Sequence, residues 1–178
     1  MTRDRVERLV EDLGRLHPDI DSANKEVAAR LLRLSDVVER YYGAICDRFE
    51  VSLSGLGVLT ALARSAPREL TLAELNRDIL VTSGGITFVA ARLERQGLLT
   101  KRSNPADGRA VLVQLTPKGR QVADELIEQI ARADTAALGA FDSKELSTIS
   151  AVLTSLEARY ETPVSDLQDA TSAGSSPA

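Results

Sequence analysis

The 178-residue chain is poor in the residues that most catalytic and metal centres need. It has one cysteine, Cys46, and one histidine, His17. No disulfide can close within one chain, and a zinc site of Cys and His ligands is excluded. A nucleophile activated by histidine would have to use His17, which lies far in sequence from any partner. Aromatic residues make up 3%, with no Trp, which argues against a stacking platform for single-stranded nucleic acid. No apolar run approaches the roughly 18 residues of a membrane helix. The charged start Thr2-Arg3-Asp4-Arg5 is no signal-peptide core. Gly84-Gly85 is followed by no Lys-Ser or Lys-Thr, so it is no phosphate-binding nucleotide loop. These absences predict a cytoplasmic protein that is not an enzyme and uses no cofactor, metal or membrane, and one unpaired cysteine agrees with a reducing compartment.

What is present is charge and helical periodicity. The net charge is -4, which taken whole disfavours nucleic acid, but binding depends on where the charge sits. From Arg92 to Arg120 the net charge is +5, leaving -9 for the rest.

Val6, Leu9, Val10, Leu13 and Leu16 form one face of a short helix that His17-Pro18 ends. His17 is read there as a helix C-terminal cap rather than a pH switch. Ser22 is placed to cap a second helix, with a stripe at Val27, Leu31, Leu34, Val38, Tyr41, Ile45 and Phe49. That stripe is longer than a small domain's own core needs, which predicts packing against a second subunit. Ser52 or Ser54 caps a third helix that Ser65-Ala66-Pro67 closes. Thr71 and Glu74 make a capping box for a short fourth helix. Thr82-Ser83 caps a fifth helix, to about Gln96, which Gly97 stops.

The period then changes. Residues 99–102 and 111–115 are β-rich and flank the turn formers Ser103 to Arg109, a two-stranded hairpin with a charged tip. Thr116-Pro117 opens a helix to about Leu138, and Asp142-Ser143-Lys144-Glu145 caps a last one. It carries Leu146, Ile149, Leu153 and Leu156 and is expected to end near Tyr160. The expected division is N-terminal helices over 1–50, a winged helix-turn-helix over 51–120, C-terminal helices over 121–162 and a disordered tail over 163–178.

Two short helices, a tight turn and a hairpin make a winged helix-turn-helix: a mostly α fold with a small β-hairpin wing, flanked by dimerisation helices. Its second helix would lie in the major groove and its hairpin on the minor groove or backbone. Thr82, Ser83, Gly84 and Gly85 stand at a helix start, where free N–H groups attract phosphate. With Ile86, Val89, Ala90 and Leu93 inward, Thr87, Phe88, Ala91, Arg92 and Arg95 face out. Thr87 and Phe88 suit base edges and thymine methyls, and Arg92 and Arg95 suit phosphates or guanines. Arg102 and Arg109 on the hairpin are further DNA candidates, and Asp107 is placed to orient Arg109. Arg109 suits a narrow minor groove. Leu31, Leu34, Val38, Leu146, Ile149 and Leu153 are the dimerisation candidates.

The order of these motifs resembles the DNA-binding domain of the multiple antibiotic resistance regulator (MarR) family. The matching residues are Leu72-Ala73-Glu74-Leu75, Gly85-Ile86-Thr87 and Arg92-Leu93-Glu94-Arg95-Gln96-Gly97-Leu98. The hairpin run Asn104 to Arg109 and the exit Leu115-Thr116-Pro117-Lys118-Gly119-Arg120 match as well. The flanking helix order agrees, so the resemblance covers all but the tail. It implies a homodimer with interlocked terminal helices and two winged lobes on a double-stranded palindrome. It also implies repression relieved by a small phenolic or aromatic effector, bound between the dimer helices and the lobe. Some members sense oxidants through a Cys instead, which makes Cys46 an alternative, although a packed inert thiol is the plainer reading. The other rival is a winged-helix protein-interaction module without DNA. The N-terminal extension ending in His17-Pro18-Asp19-Ile20-Asp21 is similar to the urate-responsive subgroup. That subgroup's Trp, Asp and two Arg fall at Leu13, Gly57, Phe88 and Lys101, so its ligand set is largely missing.

Overall fold

The computed structural model describes residues 4–66, 69–79 and 85–173, with backbone alone at 108–109 and 162–173. The chain divides into two compact units, Met1–Ala131 and Arg132–Ala178. The first begins with α1 (Arg5–Leu16), α2 (Ser22–Asp47) and α3 (Leu53–Ser65). Then come β1 (Leu70–Thr71), α4 (Leu72–Asp78), α5 (Ile86–Arg95), β2 (Leu99–Asn104) and β3 (Asp107–Leu115). Helix α6 (Pro117–Leu138) crosses the division, and α7 (Ser143–Ala173) lies in the second unit.

Polar side chains set most helix starts. Asp4 and Glu7 form a capping box on α1, and Thr71 and Glu74 form one on α4. Ser52 caps α3 through the Gly55 N–H. The cap of α2 is Asp21, not Ser22: its carboxylate accepts from the N–H groups of Ala23 and Asn24. A carboxylate does this better than a hydroxyl, because it also meets the positive end of the helix dipole. His17 is the C-cap of α1, its N–H donating to the Leu13 carbonyl at 2.8 Å. Asp142 accepts from Lys144 and Glu145 N–H while Glu145 reaches back to the Asp142 N–H, which caps α7.

Two further expectations change. The sheet has three strands in the order β1-β3-β2, all antiparallel, rather than a bare hairpin. Leu70 pairs with Val113 and Thr71 with Leu112. And α7 does not end near Tyr160: its backbone stays helical through Pro163 to Ala173, into the stretch expected to be disordered. Pro163 removes one helical N–H, yet the helical backbone runs on past it to Ala173.

The core joins α3, α4, α5 and the sheet. Val58, Leu59, Leu75 and Val113 are fully buried, with Leu62, Leu70, Leu93, Leu98 and Leu99 beside them. Cys46 from the end of α2 and Leu126 from α6 reach the same cluster. The rest of α2 is different: Leu32, Leu34, Val37, Val38 and Tyr41 stand exposed. On α7, Ile149, Val152 and Leu153 are exposed as well.

Candidate nucleic-acid interface

Helix α5 is closed by glycine at both ends. Its N-cap is Gly85, with no side-chain cap bond, rather than the expected Thr82-Ser83, and the left-handed geometry of Gly85 (φ 86°) would strain an L side chain. Gly97 follows it at φ 72°. The Gly97 N–H donates to Glu94 O at 2.8 Å and Leu98 N–H to Leu93 O at 3.0 Å, a Schellman motif that turns the chain straight into β2. The inward face is the expected one, with Val89, Ala90 and Leu93 buried and Ile86 packed against the core. Thr87, Phe88, Arg92 and Arg95 are exposed, and Phe88 keeps 68% of its surface.

Beside the helix stands the wing. Strands β2 and β3 pair from Leu99–Leu115 to Asn104–Asp107, with an irregularity at Ser103/Asn104. Asn104 Oδ1 accepts the Ala106 N–H at 3.0 Å and so shapes the tip. The backbone of Arg109 lies on β3, and Asp107 begins that strand.

The +5 stretch is less free than its arithmetic implies. Lys101 Nζ lies 2.9 Å from Glu94 Oε2, which ties the wing to the reading helix. Arg102 grips Glu69 with two nitrogens, Nε at 2.8 Å from Oε1 and Nη2 on Oε2. The guanidinium holds the Glu69 carboxyl below its ordinary range, and Glu69 holds the guanidinium's proton more firmly in turn. Lys118 Nζ donates to Gln96 O at 2.9 Å. Arg120 donates to Ala63 O at 3.1 Å. Arg92 and Arg95 form no ion pair among the described residues. Arg92 only leans on Glu50 O at 3.4 Å, and Arg95 on its own helix at Ala91 O.

The end of α5 is anchored from two other sides. Gln96 Nε2 donates to Glu50 O at 2.8 Å, where Glu50 itself has left-handed geometry just beyond α2. Thr116 Oγ1 donates to Gly97 O at 2.7 Å, and Thr116 N–H to Leu98 O at 3.1 Å. Gly119 then passes so close that a Cβ there would sit 1.7 Å from Leu98 O. The Thr-Pro-Lys-Gly-Arg exit therefore works as a clamp between the reading helix, the wing and α6. None of these ties is visible in spacing, because the partners lie up to 46 residues apart.

The structure thus brings Thr87, Phe88, Arg92 and Arg95 onto one helix with Gly85 at its N-cap, and Arg102, Asp107 and Arg109 onto the adjoining wing. Thr82, Ser83 and Gly84 lie outside the described residues. Leu34 and Val38 on α2, and Ile149 and Leu153 on α7, are exposed, while Leu31 and Leu146 are half-buried. Cys46 is fully buried, and burial pushes its thiol pKa up. Among the described residues no cluster of His, Cys, Asp or Glu suits a metal ion, and no helix is long and apolar enough to cross a membrane.

Residues 44–110 match the family model described as the MarR family. That segment, from the end of α2 to the wing, is similar to MarR-family domains. Over 153 residues it is 24% identical to the HTH-type transcriptional regulator PecS of Dickeya dadantii, covering 85% of this chain and 92% of that one. A MarR-like transcription regulator from Bacillus cereus superposes with a TM-score of 0.69 at 20% identity, covering 78% of this chain and 99% of its own. The PcaV transcriptional regulator of Streptomyces coelicolor, solved with its natural ligand, superposes at 0.60 with 25% identity, over 78% of this chain and 96% of its own. The winged lobe and the helices beside it thus share the fold of MarR-like regulators.

Proposed function

We propose that the chain is a homodimeric repressor that binds a pseudo-palindromic operator and is released by a small aromatic or phenolic effector. The observation that carries this reading is α5, whose Thr87, Phe88, Arg92 and Arg95 face outward next to a wing carrying Arg102 and Arg109. The winged helix-turn-helix puts such a helix in the major groove and the wing against the adjacent backbone. The exposed apolar faces of α2 and α7 support a dimer, with Leu31, Leu34, Val38, Leu146, Ile149 and Leu153 as contacts. A dimer presents two lobes to two half-sites about one helical turn apart. The effector rests on the similarity to PcaV, which was solved with a ligand. The buried, protonated Cys46 favours an effector over an oxidant as the signal, since the thiolate is the reactive form.

Polarisation titrations against duplex DNA at several salt concentrations test the proposal. Affinity falls steeply with salt, and Arg95→Ala lowers the slope by about one. Arg109→Ala weakens binding to every sequence. Binding that ignores both salt and these substitutions would leave the winged lobe as a protein-interaction module.

A further inference from the structure

Seventeen large apolar side chains stand exposed among the described residues, and sixteen lie on α1, α2, α6, α7 or the turns that join them. The exception is Phe88, the one on the winged lobe. It stands on the outward face of the reading helix, opposite Val89, Ala90 and Leu93. A helical side chain leans toward the helix N-terminus, so Phe88 covers the turn where Gly85 sits. Gly85 offers no side chain there, and a Cβ placed on it would be 3.6 Å from Phe88 Cβ. The ring is thus unshielded at the end of α5 that enters a groove first.

The rest of that face is equally informative. From Ile86 to Ala91 the outward residues are Thr87, Phe88 and Ala91, with no Asn, Gln, Arg, Lys, Asp or Glu. Bidentate reading of guanine or adenine needs those long polar side chains. The two arginines come only in the second half of the helix, and Arg92 leans back toward Glu50 O. The C5-methyl of thymine is the one apolar group on the major-groove edge of DNA.

We propose that Phe88 sets sequence preference by packing on a thymine C5-methyl, so that this regulator reads methyl groups more than hydrogen-bond patterns. The inference rests on the DNA-binding reading. It predicts that 5-methylcytosine partly replaces thymine at the same position, because it carries the same methyl in the same place.

The test begins with selection of duplexes from a random library by the full chain. The best site is then rebuilt with deoxyuridine for thymidine, one position at a time. Removing a well-packed methyl is expected to weaken binding about fourfold at one position in each half-site. At that position a C·G pair binds more weakly than T·A, and methylating the cytosine recovers part of the loss. Phe88→Ala binds more weakly and no longer distinguishes thymidine from deoxyuridine. An exposed ring is not needed for folding, so its melting temperature stays near that of the parent. The inference is overturned if every uridine-substituted site binds within twofold of the parent. It is equally overturned if Phe88→Ala stays methyl-sensitive, which would point to the Thr87 methyl. If no duplex is enriched, the DNA-binding reading fails with it.

Discussion

The winged lobe and helix α2 contain similar apolar residues and treat them in opposite ways. In the lobe, Leu59, Leu75 and Val113 are fully buried, and every strand and helix has a neighbour. On α2 only Ala29 and Cys46 are buried, while Leu34 is 55% exposed. A helix of 26 residues with an unmatched stripe gains little from its own chain. The lobe supports itself, and α2 has surface to spare for a second copy. The same contrast holds for charge. Cations on β2 have carboxylates, whereas those on the outer face of α5 have none among the described residues.

The sharpest way to break the lobe is from inside. Leu75→Ala removes a fully buried side chain and should cost about 3–4 kcal/mol, read by chemical denaturation. Gly119→Ala tests the clamp: its Cβ meets the Leu98 backbone, so the chain must shift at a cost of about 2–3 kcal/mol. A wild-type melting curve for Gly119→Ala would mean that the junction of wing and α6 gives way freely. The matching change on α2 behaves differently. Leu34→Asp should leave lobe stability unchanged and raise the dimer dissociation constant about tenfold or more, measured by sedimentation. A monomer that melts like the lobe core mutant would erase the contrast between the two regions.

Much of this was legible from spacing and caps. The bounds of α6, the Thr71–Glu74 box, the Gly97 stop and the inward face of α5 all follow from local patterns. What spacing hides is contact between distant segments. Strand β1 is two residues long, too short for any period, and Thr71 in it also caps α4. It exists because β3 offers an edge to Leu70 and Thr71. Choosing Asp21 over Ser22 is a one-residue decision between two competent caps. The candidate site divides the same way. Its faces were readable, but the partners of its cations were not. Glu69 lies 33 residues from Arg102, and nothing in either neighbourhood announces the pair.

That pair gives the smallest and most specific effect. Arg102 is a candidate DNA contact that pairs with Glu69 in this structure. Glu69→Gln removes the competing charge without removing much bulk. If Arg102 then turns to phosphate, the log–log salt slope of DNA binding steepens by about one. An unchanged slope would mean that Arg102 serves the wing alone. Acid gives an independent reading of the same contact. Arg102 depresses the Glu69 pKa, so the pair's contribution to stability is complete above the ordinary carboxylate range. It is lost as pH falls through the depressed value. The melting-temperature gap between the parent and Glu69→Gln should therefore hold steady near neutrality and close only at pH below that of a free glutamate's titration. A gap that already closes there would mean that Arg102 does little for Glu69 in solution. Both arms ask whether the wing's cations belong to the fold or to the DNA, since the Arg102 side of the pair is half-exposed and within reach of solvent.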